Sequence, residues 1–237
     1  MDQRGDWGQA VVEYKLYVEG GGDSKALRIE CQIGFRAFLE KAGLHGAMPR
    51  IVACGSRNKT YDMFCTAITQ GQKAFLLVDS EQPVSPKHMT DDPERWQPWE
   101  HLQQADAWTK PVESIDTNCH LMVQVMESWF LTDKDTLADF FGQGFHEGAL
   151  PVRGSIETVS KETVDQGLKT ATRACKTQSR YKKGQHSFKI LVRINPDKVC
   201  AASPWAKRFV DTLLRMRTKN GHALSESRQT HRRLRIQ

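Results

Sequence analysis

The chain reads as a mainly parallel α/β sheet flanked by helices, and three observations point there. Short apolar segments recur along the sequence, stretches of helical period separate them, and KAFLLVDS at 73–80 is almost continuously apolar, as a strand buried on both faces of a sheet must be. Strands that alternate with helices predict parallel pairing, because each return to the same sheet edge needs a crossover.

The elements follow in order. VVEYKLYV at 11–18 predicts the first strand, and GGGD breaks it before a helix with apolar positions Leu27, Ile33, Phe35, Phe38 and Leu39. RIVACG at 50–55 predicts a second strand, 58–69 a helix, and 73–80 the third strand. Residues 81–118 mix prolines, tryptophans and charges, so an irregular insertion with one short helix near 97–105 is expected. A loop of that length is usually functional or a lid. HLMVQVM at 120–126 predicts a fourth strand, 127–141 a helix, 142–154 a Gly/Pro-rich link and 161–175 another helix. FKILVRI at 188–194 reads as a fifth strand and 204–217 as a last helix. Residues 1–217 are thus expected to form one domain with a long insertion at 81–118, and 218–237 a basic tail too poor in apolar residues to hold a fixed structure.

A chain of 237 residues can bury a core without staples. The six cysteines show no CxxC spacing, and several lie in apolar runs, which predicts buried thiols, a reducing compartment and no zinc site. The N-terminus MDQRGDWGQA lacks the basic-then-apolar start of a signal peptide, and no apolar run approaches the roughly 20 residues that span a bilayer. A cytoplasmic protein with no membrane partner is expected. The net charge of +6 conceals an asymmetry: residues 176–237 carry 16 Lys and Arg against 3 Asp and Glu, and residues 1–175 carry 18 against 25. A basic C-terminal third beside an acidic body suits a polyanion such as nucleic acid, although a solvated basic tail accounts for the last residues equally well.

Ligands of open α/β sheets bind beyond the carboxyl ends of the strands, and acids stand at three such ends. The first strand closes on VEGGGD, giving Glu19 and Asp23; the third on LLVDSE, giving Asp79 and Glu81; the fourth on QVMESW, giving Glu127. Residues two apart on a strand face the same side, so Asp79 and Glu81 can share a cation if the strand persists through Ser80. Hard cations such as Mg2+ or Mn2+ are held by a few carboxylates together with waters and substrate phosphates. Asp23 stands as well for a plain N-cap, and any single acid for a turn residue. The combination is what favours metal.

VEGGGD opening a helix, with LLVDSE about sixty residues on, resembles the Toprim domain of topoisomerases, primases and overcoming-lysogenization-defect nucleases, with its glutamate–glycine turn and later DxD motif. CGSRNKT at 54–60, QVMESWFLTDKDTL at 124–137 and YKKGQHSFKIL at 181–191 are similar to a Toprim-like family of unknown function, domain of unknown function 4276, often encoded beside phage-defence ATPases. The resemblance covers about residues 12–215. It implies that Glu19 is a metal ligand or general acid/base, Asp23 a second ligand, and Asp79 with Glu81 the DxD equivalent, Glu81 standing where aspartate is usual.

GSRNKT at 55–60 lacks the spacing and second glycine of a phosphate loop, but Arg57 and Lys59 follow a strand end and could hold a substrate phosphate. Gly20 to Gly22 fit an anion-facing turn or a tight structural one. Lys182, Lys183 and His186 form a basic element ahead of the expected fifth strand, a second candidate for phosphate binding or merely an exposed hairpin. Trp96, Trp99 and Trp108 are expected to fasten the insertion to the body rather than to stack on bases. His120 is expected to be structural.

The reading that follows is a Mg2+- or Mn2+-dependent nuclease of Toprim type acting on DNA or RNA. The family resemblance implies an anti-phage effector with an ATPase partner, and homo-oligomers are possible. The rival is a non-hydrolytic Toprim-fold subunit that binds nucleic acid or an ATPase. Asp79→Ala is expected to end hydrolysis while folding at least as well as the parent, because it relieves repulsion among the acids.

Overall fold

Among the described residues four strands make one parallel sheet in the order β2-β1-β3-β4, with helices on both faces. The structure is a computed structural model and describes residues 14–151 and 154–217. The start of the expected first strand, residues 11–13, and the basic tail at 218–237 lie outside the described residues. The strands are β1 (Lys15–Glu19), β2 (Arg50–Gly55), β3 (Ala74–Asp79) and β4 (Cys119–Met122). The α-helices are α1 (Lys25–Lys41), α2 (Arg57–Thr69), α3 (Pro98–Asp106), α4 (Lys134–Phe141), α5 (Lys161–Ala171), α6 (Ser187–Arg193), α7 (Pro196–Ala202) and α8 (204–217).

The sheet divides two apolar cores, as alternation along a strand requires. Leu16, Val18, Phe75 and Leu77 face one core with Phe35 and Phe38 of α1 and Ile190 and Leu191 of α6. Tyr17, Leu76 and Val78 face the other with Phe64 of α2 and Leu102 of α3. All six residues of β3 are buried. Helix starts are fixed by side chains: Ser24 accepts from the Leu27 amide, Ser56 from Lys59 and Ser160 from Thr163, each satisfying an otherwise orphaned donor.

Three elements differ from the sequence reading. FKILVRI is helix α6, not a strand: its buried residues Ser187, Ile190, Leu191 and Ile194 recur at helical spacing. A short apolar run rich in branched residues does not by itself separate the two periods. The helix expected at 127–141 is a 3-10 helix over Met126–Thr132 followed by α4. The break falls at buried Asp133, whose carboxylate accepts from the Asn195 amide at 2.9 Å and from Lys198 Nζ at 2.6 Å. The fourth strand is also shorter than expected, ending at Met122 ahead of Gln124 in left-handed backbone (φ 56°).

The insertion is folded down onto the body. Trp96, Trp99 and Trp108 are buried, Trp96 against Trp205 and Trp108 stacked on Tyr61, so none is available to stack on bases. Arg208 of α8 is buried and donates to the carbonyls of Pro93 (2.7 Å), Cys119 (2.8 Å) and Asp116 (2.8 Å), joining insertion, sheet and last helix. His120 is buried beside it and held neutral, its pKa driven down by burial and by the guanidinium. All six cysteines are free thiols. Among the described residues no helix is long and apolar enough to cross a membrane.

Candidate metal centre

Parallel pairing puts the carboxyl ends of β1, β3 and β4 side by side, and the acids stand there. One carboxylate oxygen each from Glu19, Asp79 and Glu81 lie within 4.8 Å of one another. Glu19 ends β1, and its Oε2 accepts from the Asp79 amide at 3.0 Å, so the first acid is clamped to the neighbouring strand. Asp79 ends β3, and its Oδ1 accepts from the Met126 amide at 2.8 Å. Glu81 does not arrive by strand alternation. The strand stops at Asp79, and Glu81 joins the cluster through left-handed backbone (φ 63°), its amide bonded to the Gln124 carbonyl at 3.0 Å. Left-handed backbone in a non-glycine residue is uncommon and tends to occur at functional sites.

The glycine turn brings β1 into position. Gly20 and Gly55 exchange backbone hydrogen bonds at 2.9 Å, and a Cβ on Gly55 would meet the Gly22 carbonyl oxygen at 2.5 Å. The turn therefore has a structural reason for glycine at Gly55, whose φ is +92°. Beside it opens a cleft of about 260 Å³ bounded by Gly20, Leu27, Met126, Phe188 and the carboxylates of Glu19, Asp79 and Glu127.

Electrostatics are set by burial. Desolvation raises the pKa of Glu19 to about 7, against the amide of Asp79 and the charge of Arg57, which favour ionisation. Asp79, 4 % exposed, is likewise pushed well above the usual carboxylate range, first by burial and then by Glu19. Cations answer these acids. Lys183 Nζ lies 3.2 Å from Glu127 Oε2 and 3.8 Å from Asp79 Oδ2. Desolvation disfavours its charge, but the attraction of Glu127, Asp79 and Glu19 outweighs it and holds the ammonium protonated above the ordinary lysine range. Lys161 pairs with Glu81.

The other candidates are placed as follows. Glu127 is buried at the edge of the cluster, its Oε1 accepting from Ser187 Oγ at 2.9 Å and from Tyr181 Oη at 3.3 Å. Asp23 is exposed outside the cluster, 3.8 Å from Arg28 Nη2, and the N-cap of α1 is Ser24 instead. Arg57 is close by but engaged: Nε donates to the Asp79 carbonyl at 2.8 Å, Nη1 pairs with Asp106, and the guanidinium lies over Trp108. It works as a brace under the cluster. Lys59 and Lys182 are exposed. His186 is buried between Phe140 and Phe141 with burial lowering its pKa, and its Nδ1 accepts from the Lys182 amide at 3.1 Å. It faces the core rather than a phosphate. Sequence reasoning missed Tyr181, Ser187, Lys161 and Asp106. The first two lie within the YKKGQHSF segment, but no spacing marks them once 188–194 is taken for a strand.

The donor set fits a hard divalent cation. Three carboxylates converge with no thiol or imidazole among them, as Mg2+ and Mn2+ require. Those three residues are the ones that would hold the ion.

No curated protein and no solved structure matches the chain. The family described as domain of unknown function 4276 matches residues 18–214, a span that takes in β1 from Val18 onward, all four acids and the Lys183 turn. The chain belongs to that family of unknown function.

Proposed function

We propose that the protein is a Mg2+- or Mn2+-dependent phosphodiester hydrolase of Toprim type, acting on DNA or RNA. The observation that carries this reading is the convergence of Glu19, Asp79 and Glu81 within 4.8 Å at the carboxyl ends of adjacent parallel strands, beside an open cleft. A divalent cation bound there supplies charge neutralisation at the scissile phosphate and a more acidic water. Glu19 accepts the Asp79 amide through Oε2, which would leave Oε1 for the cation. The Lys183 ammonium offers donors to a phosphate oxygen entering the cleft. The resemblance to families encoded beside phage-defence ATPases supports an effector role with an ATPase partner.

One observation favours a second reading, a non-hydrolytic subunit. Lys183 and Lys161 already pair with the acids, as they would in a purely structural ion network. Full-length protein incubated with single-stranded DNA, duplex DNA and transfer RNA separates the two. Hydrolysis that requires Mn2+ or Mg2+ and is lost in Asp79→Asn is expected; Mn2+-independent stability together with no cleavage of any substrate would favour the structural reading.

A further inference from the structure

Four carboxylates line the centre, and the structure divides them. Glu19, Asp79 and Glu81 form the converging set, whereas Glu127 is committed elsewhere. Its Oε1 is saturated by Ser187 and Tyr181, and its Oε2 meets Lys183 at 3.2 Å. Asp79 belongs to both halves: Oδ1 is held by the Met126 amide, and Oδ2 faces Lys183 at 3.8 Å. We propose that the Lys183 ammonium is a resident second cation, standing between Asp79 and Glu127 where a second divalent ion would otherwise bind, so that the centre takes one metal ion. This inference rests on the metal-dependent reading above.

Two features set Lys183, whose own side chain is 63 % exposed, apart from an incidental surface lysine. It bridges two carboxylates whose side chains are each 5 % exposed, where an unneutralised pair of charges would repel strongly. Lys161, by contrast, pairs with a single carboxylate, Glu81, whose side chain is itself 34 % exposed, and such pairs exchange readily. The backbone beneath Lys183 is also fixed. The amides of Gln185 and His186 both donate to the Lys182 carbonyl at 3.1 Å, the Lys182 amide donates to His186 Nδ1, and the His186 ring is held between Phe140 and Phe141. A tethered ammonium on an anchored turn competes with free ions at very high effective concentration. Its charge is single, and an ammonium carries three donors, so one that remains can meet a phosphate oxygen.

The test counts ions. Mn2+ bound per full-length chain is measured by calorimetric titration, and by elemental analysis after gel filtration, for the parent, Lys183→Met and Lys183→Arg. The expected result is one ion in the parent, two in Lys183→Met, which keeps most of the stem and loses the charge, and one in Lys183→Arg. Metal-free Lys183→Met should also melt below the parent and recover more than the parent does on adding Mn2+. Two ions in the parent, or one in both parent and Lys183→Met, overturns the role of Lys183 and leaves the metal centre standing. No ion in the parent overturns the metal-dependent reading itself, and this inference with it. Should Lys183→Met not fold, two ions in Lys183→Gln support the assignment and one refutes it.

Discussion

Asp79 illustrates how a single carboxylate carries two duties. It belongs to the cation-binding set, and it also satisfies the buried Met126 amide. Asp79→Ala therefore relieves repulsion but strands a buried donor, which costs about 1–3 kcal/mol, so it is not expected to match the parent's stability. Asp79→Asn keeps an acceptor for that amide and is the cleaner test. Hydrolysis should fall to background while the denaturation midpoint stays close to that of the parent. Glu19 gives a prediction in pH. Its folded pKa of about 7 lies above its ordinary 4.5, so its contribution to stability is complete below about pH 4.5 and is lost as pH rises through about 7. Metal-free parent should lose melting temperature between about pH 5 and pH 8. Glu19→Gln should flatten that fall, leaving the part due to Asp79, and Mn2+ should flatten it in the parent. Equal slopes for parent and variant would show that Glu19 ionises normally.

Among the elements, the glycine turn is the piece whose failure should reach the site. Gly55→Ala drives a Cβ into the Gly22 carbonyl at a φ of +92°, which should cost on the order of 1–3 kcal/mol. Because Glu19 ends the strand that this bridge pins, the variant should also bind Mn2+ more weakly, as titration would show; unchanged affinity would mean that the turn does not position Glu19. The sequence made the four strands and the helices α1, α2 and α8 legible, because strands buried on both faces read as apolar runs and amphipathic helices keep their period. It made Glu19 and Asp79 legible together, because parallel topology dictates that strand ends share an edge; Glu81 joins them through left-handed backbone rather than strand alternation, and Asp23, grouped with them in the sequence, lies outside. Helix α6 was hidden because Phe188 to Ile194 satisfies either period; Gly34 of α1, whose would-be Cβ lies 3.1 Å from the Phe188 carbonyl oxygen, lets the two helices approach closely. Which of Lys182, Lys183 and His186 faces the acids was equally hidden, since residue type does not encode direction within a single turn.

At the scale of the whole molecule, charge and architecture make separable contributions. The acidic centre lies at the carboxyl end of the sheet, while Lys219, Arg228, Arg232, Arg233 and Arg235 lie in the segment beyond 217. A chain ending at residue 217 should bind nucleic acid less tightly, and its affinity should fall less steeply with salt, because fewer phosphates are neutralised and fewer counterions released. Its hydrolysis of a small chromogenic phosphodiester should be unchanged. An unchanged salt slope would remove the tail from the binding surface. Architecture depends on Arg208, whose guanidinium serves three backbone carbonyls from a buried position. Arg208→Met should destabilise the fold by about 3 kcal/mol or more, since each abandoned buried acceptor carries its own desolvation cost. A midpoint shift below about 1 kcal/mol would mean that water replaces the guanidinium.

The same arginine bears on how the chain is made. Its partners Pro93 and Cys119 precede it by 115 and 89 positions, so the N-terminal strands leave the ribosome long before the residue that secures the insertion and the edge of β4. Contacts of such long sequence separation close late and slowly. Until then Trp96 lacks its partner Trp205 on α8, and the apolar surface between them is open to chaperones, proteases and neighbouring nascent chains. A nonsense codon between residues 128 and 208 would thus yield a polypeptide that retains every acid of the centre and still accumulates poorly.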